Sequence, residues 1–338
     1  MTEASAPGKI ILCGEHAVVY GQPALAIPVW DVSATVTVSD RSPNADFPNV
    51  DSLSKDSPCT DKSGCIIIAH DIDQMICLPD APVDNPLAVA ARLAFAELEI
   101  ESPPNWRVDV HSTVPIAGGL GSGAAVSAAL VRGVCAHAGV MLPDARVSKL
   151  VYETEMLHHG TPSGIDNSVI AYGAPVWFVK GTEPVPFVPQ LAFTLLIADS
   201  GVPGPTRETV GDVRRAWQAE PERLGAWFEQ IGDIVRLARV MIEAPTVNGA
   251  LPKLGALFTQ NQQLLSTLGV SSPLLDRLID AALEAGAFGA KLSGGGRGGN
   301  VIALVDAVCQ DTVQSALLAA GAKRVIATRV GQNEERMK

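Results

Sequence analysis

Between Val114 and Ala125 the chain carries Gly118, Gly119, Gly121 and Gly123 around Leu120 and Ser122. An alternating, strand-like run precedes this loop and an Ala-rich helical run follows it. Glycines let a backbone turn sharply and approach a ligand without a Cβ in the way. The N–H groups in the first turn of the next helix have no partners within that helix. Together with the helix dipole they form an anion site. The loop is neither the Gly-Lys-Ser/Thr phosphate loop nor the G-x-G-x-x-G of a dinucleotide fold. A tight strand–helix turn with no ligand is the plain alternative.

A second glycine cluster runs from Ser293 through Gly294, Gly295, Gly296, Arg297 and Gly298 to Gly299. A hairpin needs fewer glycines than this. Strand-like segments flank it at Ala287–Leu292 and Val301–Leu304, with Lys291 just before it. These neighbours predict a loop that shapes a phosphate or substrate pocket rather than a flexible linker.

Two polar clusters complete the pattern. Near the N-terminus stand Pro7, Gly8, Lys9, Gly14, Glu15, His16 and Tyr20. Lys9 opens an apolar strand, where an ammonium can meet an anion or depress the pKa of a nearby alcohol. Read alone, it is a solvated strand end. The other cluster holds Glu155, His158, His159, Gly160, Pro162, Ser163, Gly164, Asp166 and Asn167. One carboxylate that holds Mg²⁺ and another that orients an alcohol would divide the work of phosphoryl transfer. Read alone, Glu155 is a helix-end charge and Asp166 a helix cap. Adjacent histidines on a helix point about 100° apart and do not chelate as an i, i+4 pair does.

The secondary-structure pattern mixes both element types. Strands are expected from Ile10 to Val38, at Trp106–Val114, Val176–Val179, Phe193–Ala198, Phe288–Leu292, Val301–Val305 and Arg324–Val330. Helices are expected at Asn85–Leu98, from about Ala124 to Ala138, from about Asp144 to His158, several times between Thr206 and Gly286, and at Thr312–Ala320. Thr161–Tyr172 reads as a turn with short helical character, and Asp40–Gly64 as a polar surface loop. A length of 338 residues suits two domains, with a boundary near Gln190. Apolar residues make up 47% and aromatic residues only 5%, a balance suited to helices packed on sheets.

The net charge of −11 and the lack of a basic run speak against a general nucleic-acid binder. Glycine loops and a few cations can still reverse the potential inside one cleft. No signal peptide and no membrane-length apolar run is seen, so a cytoplasmic location without membrane association is expected. The six cysteines are scattered and form no C-x-x-C, which predicts free thiols. Cys59 and Cys65 share one polar loop, and their closeness reads as chance.

In this order the four clusters resemble the motifs of the GHMP kinase superfamily. Pro7 to Gly21 resembles the first motif, Pro115 to Ala125 the second and Lys291 to Leu304 the third. Gly160 to Asn167 resembles the Pro-Ser-Gly-x-Asp-Asn segment of the branch that acts on mevalonate. The run from Gly14 to Gly21 is close to that branch, and Asp199, Ser200, Gly201, Thr206 and Arg207 also fit it. The matching segments are short but span Ala6 to Leu304.

The resemblance implies an α+β, two-domain fold. Residues 1–190 would form an N-terminal ATP-binding domain like ribosomal protein S5 domain 2, and residues 191–338 a ferredoxin-like domain. It implies ATP-dependent phosphorylation of the 5-hydroxyl of (R)-mevalonate in isoprenoid biosynthesis, with ATP and Mg²⁺ as cofactors. Asp166 and Lys9 would be catalytic. Pro115, Gly118, Gly119, Leu120, Gly121, Ser122, Gly123 and Ala124 would hold ATP. Glu155 and Ser122 would bind Mg²⁺, and Glu15, His16, Thr206 and Gly295 would line the substrate region. A homodimer is compatible with the sequence, which does not fix the oligomeric state.

Two positions depart from the family pattern. Gly123 stands where relatives often have a second serine. Arg297 stands where a small residue is common, either adding a cation near the phosphates or pointing to solvent. Other acceptors (phosphomevalonate, homoserine or a sugar), a decarboxylase relative and an inactive ligand sensor are the competing readings.

Overall fold

The computed structural model describes residues 1–41, 64–159, 162–245 and 247–331, without the side chains of 158 and 159. The expected surface loop at 40–64, Cys59, Gly160 and the side chains of His158 and His159 therefore lie largely or wholly outside the described residues. The elements in chain order begin with β1 (Thr2–Cys13), β2 (Ala24–Asp40), β3 (Ile66–Ala69), β4 (Gln74–Cys77), α1 (Pro86–Glu97) and β5 (Trp106–Ser112). Next come α2 (Ser122–His137), α3 (Asp144–His159), α4 (Ile165–Tyr172), β6 (Val176–Phe178), β7 (Val185–Pro186) and β8 (Phe193–Asp199). The chain continues with α5 (Thr206–Ala219), α6 (Pro221–Glu243), α7 (Ala250–Thr267) and α8 (Pro273–Glu284). It closes with β9 (Gly289–Ser293), β10 (Asn300–Val305), α9 (Gln310–Ala319) and β11 (Arg324–Val330).

The chain divides into two compact units with interleaved segments. One holds residues 1–8, 32–116 and 121–173, and the other holds 9–31, 117–120 and 174–338. Strand β2 contributes its first part to the second unit and its remainder to the first.

In the first unit the strand order is β4-β3-β5-β2, with β3 parallel to β5 and the other pairs antiparallel. Ala34, Val36 and Val38 of β2 are buried while Thr35, Thr37 and Ser39 alternate to the other face, the period expected of a strand. Helix α2 packs with α1, α3 and α4. Its buried positions include Ala124, Ala125, Ala128 and Ala129, and Gly133 lets it lie close on β2: a Cβ there would stand 3.0 Å from Val36 Cγ1. Asn85 caps α1 by accepting from Ala88 N at 3.1 Å, and Pro86 fills the first turn, where a missing N–H costs nothing.

The second unit contains the antiparallel sheet β11-β8-β10-β9. Every residue of β9 and β10 is buried. Helices α7 and α8 cover β9 and β10, and α9 contacts β8 and β11. The chain leaves β7 at Pro186 and enters this sheet at Phe193, so the segment around Gln190 is where it passes from one set of strands to the other.

The structure refines several boundaries. Helix α2 starts at Ser122, so Ser122, Gly123 and Ala124 already form its first turn. Strands β3 and β4 were not anticipated, because the run after Gly64 lacks any long alternation. Cys13, Cys65, Cys135 and Cys309 are free, but Cys77 at the end of β4 is disulfide-bonded, against the expectation of free thiols throughout. Cysteine spacing does not show where a short hairpin carries a thiol. Burial pushes the Cys13 and Cys65 thiols up to about 12, so neither is a nucleophile near neutral pH.

Candidate active site

In the second unit, strand β1 delivers Lys9 almost fully buried, and Lys9 N donates to Leu120 O at 2.9 Å. This bond ties the strand to the first half of the glycine loop. The chain then turns at Gly14, whose φ of 104° and close approach to Ala24 leave no room for a Cβ. His16 follows with φ 60°, a left-handed conformation that costs a non-glycine residue energy. Its ring is held by donating from Nε2 to Gly295 O at 3.1 Å. Burial lowers the His16 pKa to about 4, partly offset by that hydrogen bond, while the Arg297 and Lys291 charges lower it further. The imidazole is therefore neutral near pH 7, with its proton on the nitrogen facing the carbonyl.

Glu15, expected among the substrate-lining residues, is buried. Its Oε1 accepts from Lys291 Nζ in an ion pair with side-chain exposures of 1% and 0%. Lys291 also donates to Leu292 O at 2.5 Å, and Glu15 Oε2 has no hydrogen-bond partner among the described residues. Ser293 Oγ donates to Ile11 O at 2.8 Å. Asn300 Nδ2 donates to Gly118 O at 2.5 Å. These bonds bring the Lys9–His16 segment, residues 117–120 and the second glycine cluster together in one unit. Thr206, the first residue of α5, abuts Gly295 so closely that a Cβ on the glycine would stand 2.7 Å from Thr206 Oγ1.

Arg297 neither adds a loose cation to the loop nor points freely to solvent. Nη1 pairs with Asp212 of α5, Nε donates to Gly269 O at 3.2 Å, and its backbone N donates to Val270 O at 2.8 Å. The hydrogen bond from Arg297, with Arg215 adding its charge, holds the Asp212 carboxyl below its ordinary value. Arg297 itself sits at φ 56°.

The first unit carries the rest of the expected set. Gly121, at φ 74°, precedes α2, and no side chain caps this end. The N–H groups of Ser122, Gly123 and Ala124 are thus the unpartnered first-turn donors. Pro115 lies on the chain entering the loop. Arg132 of α2 donates to Asp144, the first residue of α3, at 2.8 Å, so a short loop joins two antiparallel helices. At 1.5 Å per residue, Ser122 lies about 15 Å along α2 from Arg132, and Glu155 about 16 Å along α3 from Asp144. Glu155 and Ser122 therefore reach the same end of this hairpin. Asp166 stands in the first turn of α4. Its neighbour Asn167 is buried and donates to Ser148 O at 3.1 Å and Ser148 Oγ at 2.9 Å, anchoring that turn on α3.

Among the described residues no three His, Cys, Asp or Glu side chains form a metal-binding group. A cation of the Mg²⁺ type keeps waters and phosphate oxygens and takes only one or two protein oxygens. Glu155 and Ser122 are hard oxygen donors of the right kind. An added Cβ at Gly123 would meet nothing within 4 Å, so a second hydroxyl has space there. Sequence reading missed the supporting residues Asn300, Ser293 and Asp212. It noted Lys291, but nothing in the sequence connects that lysine to Glu15.

Residues 86–174 match the GHMP kinases N terminal domain, and residues 242–323 match the GHMP kinases C terminal domain. The mevalonate kinase of Pyrococcus abyssi is 34% identical, covering 97% of this chain and 95% of its own length. The chain belongs to the GHMP kinase family. The mevalonate kinase of Pyrococcus horikoshii is 32% identical over 97% of the chain and 95% of that protein. The crystal structure of L. major mevalonate kinase in complex with R-mevalonate superposes with a TM-score of 0.79. It covers 98% of this chain and 97% of that one at 24% identity. The fold is thus the two-domain α+β fold of GHMP kinases, and its two domain matches fall on either side of residue 190.

Proposed function

We propose that this GHMP kinase transfers the γ-phosphoryl group of ATP to the 5-hydroxyl of (R)-mevalonate, giving ADP and 5-phosphomevalonate for isoprenoid biosynthesis. The observation that carries this reading is the identity to mevalonate kinases along almost the whole chain. In the reaction a bond forms between the acceptor oxygen and the γ-phosphorus, and the bond from that phosphorus to the bridging oxygen breaks. Asp166 accepts the hydroxyl proton, and Lys9 lowers the hydroxyl's pKa and draws the phosphoryl group. Most of the rate gain comes from positioning and charge stabilisation.

The backbone from Gly118 to Ala124 cradles the phosphates, with the first turn of α2 supplying donors. Glu155 and Ser122 would hold Mg²⁺, which when bound neutralises charge on the phosphate oxygens. His16, neutral and fixed on Gly295, offers Nδ1 toward the acceptor. Thr206 and Gly295 line the same region. Glu15 supports this segment from below through Lys291 rather than touching substrate.

We also propose a domain boundary near residue 190, a cytoplasmic location and a homodimer. Among the described residues no helix is long and apolar enough to cross a membrane. Light scattering would test the assembly.

ADP release with mevalonate against phosphomevalonate, with Mg²⁺ present, tests the central reading. Release with mevalonate alone is expected. Release only with phosphomevalonate would move the protein to a different acceptor.

A further inference from the structure

The second unit contains a cavity of about 500 Å³ lined by Val19, Tyr20, Lys180, Arg214, Trp217 and Gln218. No role described above uses it. Its lining includes two aromatic rings, Tyr20 and Trp217. Tyr20 stacks on Phe228 with ring centroids 4.2 Å apart and planes 8° apart, and Trp217 meets Tyr20 at 5.1 Å. This aromatic packing gives the wall a fixed shape.

The lining is also cationic. Lys180 and Arg214 are exposed, and among the described residues neither forms an ion pair. Asp212, two residues before Arg214 on α5, is engaged by Arg297 and Arg215. Uncompensated cations are notable in a chain of net charge −11. Among the described residues the buried Tyr20 hydroxyl has no hydrogen-bond partner, a state that normally costs free energy until an acceptor arrives. Arg214 lies near enough for its charge to act on that hydroxyl.

We infer that this cavity is a second ligand site for a small phosphorylated molecule with a flat, apolar body. Two cations match the charge of a phosphate monoester, and a guanidinium pairs with phosphate through parallel hydrogen bonds. Trp217 and Tyr20 take the flat body, and the Tyr20 hydroxyl can donate to a phosphate oxygen after a small shift. A volume of this size suits a small organic ligand. The inference does not depend on which alcohol the kinase phosphorylates.

Phenyl phosphate serves as the probe, titrated calorimetrically into the full chain. Binding is expected alone and also with mevalonate and a non-hydrolysable ATP analogue both at saturation. Inorganic phosphate and benzyl alcohol should each bind at least tenfold more weakly. Arg214→Gln and Lys180→Gln, both at exposed positions, should weaken phenyl phosphate at least tenfold and leave the melting temperature unchanged. Tyr20→Phe should weaken it by a smaller factor. Undetectable binding, unchanged affinity in both cation variants, or equal affinity for inorganic phosphate would overturn the site. Displacement by mevalonate or the ATP analogue would show instead that the probe occupies the reaction site, which also overturns it.

Discussion

Lys291 donates to Glu15 across 276 positions of sequence, and neither side chain reaches solvent. The pair fastens the turn before His16 to the strand that leads into the second glycine cluster. Removing one member of a buried pair leaves the other charge uncompensated, at a cost of about 3–5 kcal/mol. Lys291→Met should therefore lower the free energy of unfolding by that amount in a denaturant titration. Glu15→Gln combined with Lys291→Met should recover part of the loss. A double variant that loses as much as the two single variants summed would show that the two groups are not coupled.

His16 adds a pH dependence of known sign. Its folded pKa, about 4, lies below the ordinary value of 6.5. Between those values the unfolded chain binds more protons, so stability is complete above pH 6.5 and falls as the pH drops toward 4. The loss by pH 5 is about 2 kcal/mol. His16→Asn should flatten this part of the profile. Parallel pH profiles for the two proteins would mean that His16 titrates normally.

Gly123 should accept a serine. A Cβ there meets no atom within 4 Å, and serine favours a helix slightly more than glycine does. Gly123→Ser is expected to keep the melting temperature within about 2 °C, in line with a change of a few tenths of a kcal/mol. It should also lower the Mg²⁺ concentration for half-maximal activity. An unchanged Mg²⁺ titration would separate this position from the metal.

Arg297 combines a strained backbone with an ion pair, so two substitutions separate the effects. Arg297→Ala loses the Asp212 pair and keeps the left-handed φ, whereas Arg297→Gly loses the pair and relaxes the strain. The glycine variant should be the more stable by about 1–2 kcal/mol. Both should raise KM more than they lower kcat, because the loop they loosen touches Thr206 and His16. A fall in kcat alone would argue for a direct part in the chemistry.

The sequence carried the site unevenly. Glycines 118–123 announced a strand–loop–helix, because tight turns and bare helix ends need those residue types, and the helix begins inside the loop at Ser122. The roles of Lys9 and Asp166 came from the order of motifs, not from any local pattern. The burial of Glu15 was not legible, because an ion pair with a lysine so distant in sequence leaves no local trace. Arg297 was ambiguous for the same reason: its partner Asp212 sits on a helix whose register no loop sequence reveals. Strands β3 and β4 are only four residues each, too short for a periodic signal.

The proposed mechanism assigns proton transfer to Asp166 and charge stabilisation to Lys9. The most direct test is to identify the product formed from ATP, Mg²⁺ and (R)-mevalonate by phosphorus NMR, with wild type, Asp166→Asn and Lys9→Met. The wild type should give a phosphate monoester on the C5 oxygen. Each variant should keep its fold by circular dichroism and form that product roughly 10²–10⁴-fold more slowly, as loss of a proton-transfer group does. Near-normal product formation by either folded variant, or no phosphorylated mevalonate from the wild type, would contradict the account.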